Sequence, residues 1–298
     1  MAKFYAQQES LKGNDPEKVV ISAALTGALT TRDQCPAIPY TPEEIAEDAA
    51  EAREAGAAVA HIHARTDSGS PTFETETYRR IEEEVRDRTD IVVNFSTGAI
   101  GVPLEERLEY VQEVKPDVAA LNMGSMNYAK YSENRESYVF DMIFENPFSE
   151  IRDLLAGMQE VGVTPELECF DTGHIGNTRP LLKEGVLERP FHVSLVMGVL
   201  GGIPATVENL AHQVRQLPDD SSWQVIGIGR DQWPLVLCCA DDGRQRPRRP
   251  RGQLLPAQRG DGRQQRRTRG EGRPEFARES GREPATPDEA REIMEIDG

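Results

Sequence analysis

Ala58-Val-Ala-His-Ile-His-Ala-Arg65 is an apolar run whose polar residues crowd at its end. It has the length of a strand, and alternate strand residues point the same way. His61 and His63 are therefore expected to share one face, about 6 to 7 Å apart at Cα. The pattern recurs outward in both directions. Strands are predicted at Val19 to Leu25, Ile91 to Ser96, Val118 to Met123, Thr164 to Phe170, His192 to Met197 and Gln224 to Ile228. Several are almost continuously apolar, as strands covered on both faces should be. Between them Thr41-Pro-Glu-Glu opens a helix as a capping box, with Ile45, Ala49 and Ala52 on one face. Tyr78 to Arg86, Leu104 to Val114, Phe148 to Val161 and Val207 to Leu217 also have helical period. Strands alternating with helices predict parallel pairing through crossover helices. A (β/α)₈ barrel is preferred to an open doubly wound sheet, because polar residues mark the C-terminal end of nearly every strand, where such barrels hold their chemistry.

The chain has 298 residues, enough for one such barrel, and a formal net charge of −17 from 34 Lys and Arg against 51 Asp and Glu. The acidic excess disfavours nucleic acid as partner, since a phosphate backbone is bound through clustered positive charge. Only six of the cationic residues are Lys, and the acidic ones spread over the predicted helices. A halophilic source would account for that balance, and so would a GC-rich gene. No run approaches the length of a membrane span and no charged-then-apolar leader opens the chain, so a cytoplasmic protein is expected. Cys35, Cys169, Cys238 and Cys239 show no CxxC spacing, which disfavours a disulfide framework.

From about Leu237 to Glu275 the apolar rhythm stops, and 11 Arg lie between Arg244 and Arg273. The chain thus divides into a barrel through strand seven (1–236), an aberrant segment expected to be disordered (237–275), and a last helix (276–298) capped by Thr286-Pro-Asp-Glu. A basic insertion that binds anions is one reading of the middle segment. A compensated frameshift is preferred. With suitable synonymous codons, Gly243 to Leu255 read one base later gives Gly-Gly-Asn-Val-Arg-Val-Gly-Leu-Glu-Asp-Asn-Phe, a strand ending in two acidic residues where the eighth strand belongs. Without that strand, the helix from Thr286 to Met294 should be poorly anchored.

Two imidazoles placed as His61 and His63 can share one zinc, given a further ligand and an open position; a buried, hydrogen-bonded histidine is the competing reading. Ser96, Thr97 and Gly98 follow strand three, where hydroxyls and backbone N–H groups suit a carboxylate or merely form a turn. Asn122 after strand four could orient a carbonyl. Glu166 and Glu168 alternate along strand five, and Gly201 and Gly202 after strand six would let backbone approach a bulky ligand. Gly227-Ile-Gly-Arg230 lacks the rest of a dinucleotide fingerprint; Arg230 instead places a fixed positive charge at the mouth.

Together, Thr26-Gly-Ala28, His61-Ile-His-Ala-Arg65, Asn94-Phe-Ser-Thr-Gly98, Leu121-Asn-Met-Gly124, Pro165-Glu-Leu-Glu168, Gly198-Val-Leu-Gly-Gly202 and Gly227-Ile-Gly-Arg230 resemble the β-keto acid cleavage enzymes. The resemblance runs in order over 19 to 236 and resumes near 277. It implies a zinc-dependent, usually oligomeric barrel enzyme that combines a β-keto acid with acetyl-CoA to give acetoacetate and a new CoA thioester. It assigns His61 and His63 as metal ligands, and Arg230 and Ser96 to catalysis. Thr26, Ser96, Thr97, Gly98, Asn122, Glu168, Gly201 and Gly202 are expected to contact substrate. The family's third ligand, a Glu followed by a catalytic Asp, has no counterpart in the literal chain and reappears only in the shifted frame. Leu29 stands where the lysine-pathway member carries a Glu that reads an amino group. A zinc aldolase or hydrolase on the same barrel, or an inactive barrel with an Arg-rich binding tail, are the rival expectations.

Overall fold

The computed structural model describes residues 18–219, 221–229, 232–241, 252–255 and 282–296. The first expected strand is in two pieces, β1 (Lys18–Val19) and β2 (Ser22–Ala24). Then follow β3 (Val59–Ile62), β4 (Val92–Phe95) and β5 (Val118–Asn122), a hairpin of β6 (Met126–Ser132) and β7 (Ser137–Phe144), and β8 (Thr164–Cys169), β9 (Phe191–Met197), β10 (Ser221–Gly227), β11 (Gly252–Leu255) and β12 (Glu283–Pro284). The helices are α1 (Pro42–Glu54), α2 (Thr75–Arg88), α3 (Leu104–Val114), α4 (Phe148–Glu160), α5 (Thr172–Gly176), α6 (Thr178–Lys183), α7 (Val207–Val214), α8 (Gln232–Asp241) and α9 (Pro287–Met294).

Eight strands form one parallel sheet in the order β11-β10-β9-β8-β5-β4-β3-β2. Its two edges approach each other, with Cα atoms of β11 and β2 within 8 Å. The sheet therefore curls on itself with helices outside, a TIM-barrel-like fold. Every residue of β3, β4, β5 and β9 is buried, as the continuous apolar runs require. Among the described residues no helix is long and apolar enough to cross a membrane.

Two pieces of the segment expected to lack structure take it. Helix α8 continues to Asp241, and Gly252–Leu255 pairs in parallel with β10, Trp223 opposite Gly252 and Ile226 opposite Leu255. The rest of the segment lies outside the described residues. The expectation for the last helix is corrected outright. Helix α9 buries Ala290, Ile293 and Met294 against Val20, Val59, Val92 and Val118, so it plugs the N-terminal end of the strands. Burying Ile293 and Met294 is worth about 1.5–3 kcal/mol each. The Thr286 capping box forms, Glu289 N–H donating to Thr286 Oγ1 at 3.3 Å. The hairpin was not expected. It folds over the other end of the sheet, tied down where Ala129 N–H donates to the Leu200 carbonyl at 3.3 Å.

Candidate metal centre and cavity

A cavity of about 520 Å³ opens at the C-terminal ends of the strands. Apolar side chains make most of its wall: Phe144, Phe170 and Val196 form a small buried cluster there, packed by Tyr128, Ile226 and Ile228 and separate from the main core. Its polar residues are few, among them His61, His63, Ser96, Asn122 and Glu168, all expected from sequence; Gly98 and Leu29 line it too. Among the described residues of the lining there is no lysine or arginine.

His61 and His63 converge as the alternation requires. Their Nε2 atoms are 3.2 Å apart and their rings meet edge to face at 69°. Burial pulls both imidazoles below their ordinary pKa, His63 the more strongly, so both are neutral at neutral pH. Two Zn–N bonds of about 2.0–2.1 Å at a tetrahedral angle put the nitrogens about 3.3 Å apart. The pair therefore fits one zinc, and the Glu168 carboxyl, with no lysine or arginine among the described residues of the wall, suits a divalent ion. Glu166 lies behind, its Oε2 4.0 Å from His61 Nδ1. His61, Glu166 and Glu168 also have ligand atoms within 4.8 Å of one another. Burial, and then Glu166, push the Glu168 carboxyl up to about 8, so without a cation it is mostly protonated at neutral pH.

Ser96 sits at the end of β4 with its oxygen accepting from Gly98 N–H at 3.3 Å. Its carbonyl accepts from Tyr110 at 2.7 Å, and Tyr110 stacks on Tyr78 at 3.8 Å, which fixes the turn from below. Asn122 is 1% exposed and both side-chain polar atoms lack a partner. A buried amide left open on the cavity is positioned for a ligand that both donates and accepts.

Four of the expected contacts take other roles. Thr26 Oγ1 accepts from His63 N–H at 2.8 Å, holding the histidine strand instead of lining the cavity. Thr97 is fully buried with its hydroxyl on the Ala120 carbonyl. Gly201 and Gly202 do admit a close backbone, but that backbone is the protein's own: a Cβ would meet the Asn127 carbonyl oxygen at 1.9 Å and the Phe170 carbonyl oxygen at 2.7 Å. Arg230 lies outside the described residues.

Two buried arginines were missed. Arg65 donates to the carbonyls of Gly69 at 2.6 Å, Gly27 at 2.7 Å and Thr30 at 3.2 Å, clamping the loop that presents Leu29. Arg107 donates to the Thr97 carbonyl at 2.9 Å and to Glu150 at 3.0 Å, holding the turn after β4. An arginine inside a motif looks like a ligand-binding charge; only burial identifies it as a clamp.

The sequence profile of the beta-keto acid cleavage enzymes matches residues 18–246. The 3-keto-5-aminohexanoate cleavage enzyme of Fusobacterium nucleatum is 35% identical over 296 residues, covering 94% of this chain and 98% of that one. The 3,5-dioxohexanoate:acetyl-CoA acetone transferase of Paraburkholderia graminis is 36% identical over 241 residues, 74% of this chain and 77% of the other. Among solved structures, a binary complex of ObcA with oxaloacetate superposes with a TM-score of 0.63 at 18% identity, over 88% of this chain and 68% of that chain. That last likeness is one of fold.

Proposed function

The chain belongs to the β-keto acid cleavage enzyme family, and on that premise we propose that it condenses a β-keto acid with acetyl-CoA, giving acetoacetate and a new CoA thioester, with zinc held by His61 and His63. The observation that carries the reading is the pair of neutral imidazoles 3.2 Å apart in the wall of a mostly apolar cavity. Zinc bound there supplies Lewis acidity to the keto group.

The chain's own residues do the rest. Ser96, with its oxygen already accepting from Gly98, has its proton free to donate to an acid group. Asn122 offers Nδ2 to a carbonyl oxygen. Glu168 takes or gives a proton at the cavity wall, and its raised affinity for a proton suits that exchange near neutral pH. Arg230 supplies the positive charge that steers the carboxylate base. Leu29 and the Phe144–Phe170–Val196 wall favour a neutral or anionic alkyl β-keto acid over one bearing an ammonium group. The third zinc ligand and the catalytic Asp belong to the end of the eighth strand. In the literal chain Gly252 instead opens the eighth strand, and 251–253 read Arg-Gly-Gln, so the shifted reading is needed to complete the site.

The test compares the chain as it stands with one carrying the shifted reading over 243–255. Each is given a simple alkyl β-keto acid and acetyl-CoA, with zinc or with chelator, and acetoacetate and the CoA thioester are followed by mass spectrometry. Zinc-dependent formation of both products by the restored chain is expected. Turnover without acetyl-CoA would assign an aldolase or hydrolase instead, and no product from the zinc-loaded restored chain would overturn the proposal.

A further inference from the structure

Behind the histidine pair lies a buried polar network that the reaction does not use directly. Glu166, fully buried, accepts at Oε1 from Ser194 and Gln224 and at Oε2 from the Asn94 amide. Gln224 is itself held on both sides, its Nε2 reaching Ser194 Oγ at 2.6 Å and its Oε1 accepting from Ser22 at 3.3 Å. Four residues from four other strands thus lock one carboxyl group in place. Among the buried atoms beside this network that have no partner are His61 Nδ1 and Asn94 Oδ1. They belong to residues paired directly across β3 and β4, and both side chains adjoin the same Glu166 oxygen, Oε2, which accepts from the Asn94 amide and lies 4.0 Å from His61 Nδ1.

Asn94 has one sensible orientation. An oxygen of Glu166 accepts, so the amide must present its NH₂ to it, which leaves Oδ1 on the side of the ring. A neutral imidazole has one N–H and one lone pair, and the partner of one nitrogen decides which is which. If Nδ1 carried the lone pair, two acceptors would face each other in a buried site, at about 1–3 kcal/mol for each unsatisfied group.

We propose that Asn94, its amide oriented by Glu166, is a positioning residue: its Oδ1 accepts the His61 Nδ1 proton, so that the His61 Nε2 lone pair points at the spot shared with His63 Nε2. The purpose of this arrangement rests on the two-histidine metal reading; the tautomer itself does not. The opposite tautomer would make the 3.2 Å contact a hydrogen bond between the rings, with no lone pair from His61 for a metal.

The experiment uses the full chain, metal-free and labelled with nitrogen-15 in histidine, at neutral pH. Long-range proton–nitrogen spectra should show His61 as the Nδ1–H tautomer; the Nε2–H form would overturn the proposal. In Asn94→Leu, which removes the amide at similar volume, the single tautomer should be lost. Zinc affinity, read by competition with a chromophoric chelator, should fall roughly tenfold to a hundredfold. Glu166→Gln, whose amide no longer dictates which way Asn94 faces, should weaken zinc binding in the same direction. Unchanged tautomer and unchanged zinc affinity in Asn94→Leu would overturn the proposal. If Asn94→Leu does not fold, the wild-type spectrum decides. A chain carrying the shifted reading over 243–255 that takes up no zinc would overturn the metal reading alone, and the tautomer measurement would then settle this one.

Discussion

Replacing Gly201 by alanine should lift the β6–β7 hairpin off the cavity. Gly201 has φ +107°, where an L residue costs about 1–3 kcal/mol. Its new Cβ would stand 1.9 Å from the Asn127 carbonyl oxygen and 2.7 Å from the carbonyl carbon. Carbon contacts are ordinarily about 3.5 Å, so the two backbones must part by roughly 1.5 Å. They cannot part freely, because the Ala129 amide next to this spot is bonded to the Leu200 carbonyl. Losing that bond adds about 1 kcal/mol. A total near 2–4 kcal/mol corresponds to a fall in Tm of about 4–16 °C for a chain of this size. Tyr128, Met142 and Phe144 line the cavity from the hairpin, so KM for the keto acid should rise more than kcat falls. Thermal unfolding and amide exchange at Ala129 check the reasoning in Gly201→Ala. Wild-type Tm together with a still protected Ala129 amide would refute it.

The chain as it stands should hold zinc weakly, since two imidazoles leave the ion underliganded, whereas the chain with the shifted reading should retain about one equivalent through dialysis against a mild chelator. Stoichiometric zinc in the literal chain would sink the assignment of the third ligand to the eighth strand. Leu29 is half exposed at the mouth, so an alkyl β-keto acid should be preferred to an ammonium-bearing one by roughly tenfold, about 1.4 kcal/mol; Leu29→Glu should reverse the order of kcat/KM, and a wild-type preference for the cationic substrate would disprove this. Burial takes His192 down to about 4. The unfolded ring binds a proton near 6.5 and the folded ring does not, so the stability His192 confers is full above pH 6.5 and lost as pH falls toward 4, by up to about 1.4 kcal/mol per pH unit. Tm should fall over that window and fall less in His192→Gln; equal slopes would show that another group is responsible.

Much of this protein is written locally. The apolar runs from Ala58, Ile91, Val118 and His192 could only be strands buried on both faces, and Thr41 and Thr286 announce their helices through caps that need nothing beyond the next few residues. The histidine pair follows from a two-residue period, and the order of seven short motifs was enough to place the family. Distant partners were beyond such reading. The glycines at 201 and 202 say that some backbone comes close; that it is Asn127 and Phe170 depends on a hairpin whose seat is Leu200. Arg65 and Arg107 carry the same charge whether they meet substrate or carbonyl groups, and burial alone distinguishes the two. Leu254 and Leu255, in a run dominated by Arg and Pro, gain a strand only because β10 offers an open edge to pair with. Ser22, Asn94, Glu166, Ser194 and Gln224 are polar residues scattered over five largely buried strands, and nothing along the chain links them. They become one network because parallel strands lie about 4.8 Å apart and the curl of the sheet turns their side chains to a common interior, so residues remote along the chain become neighbours.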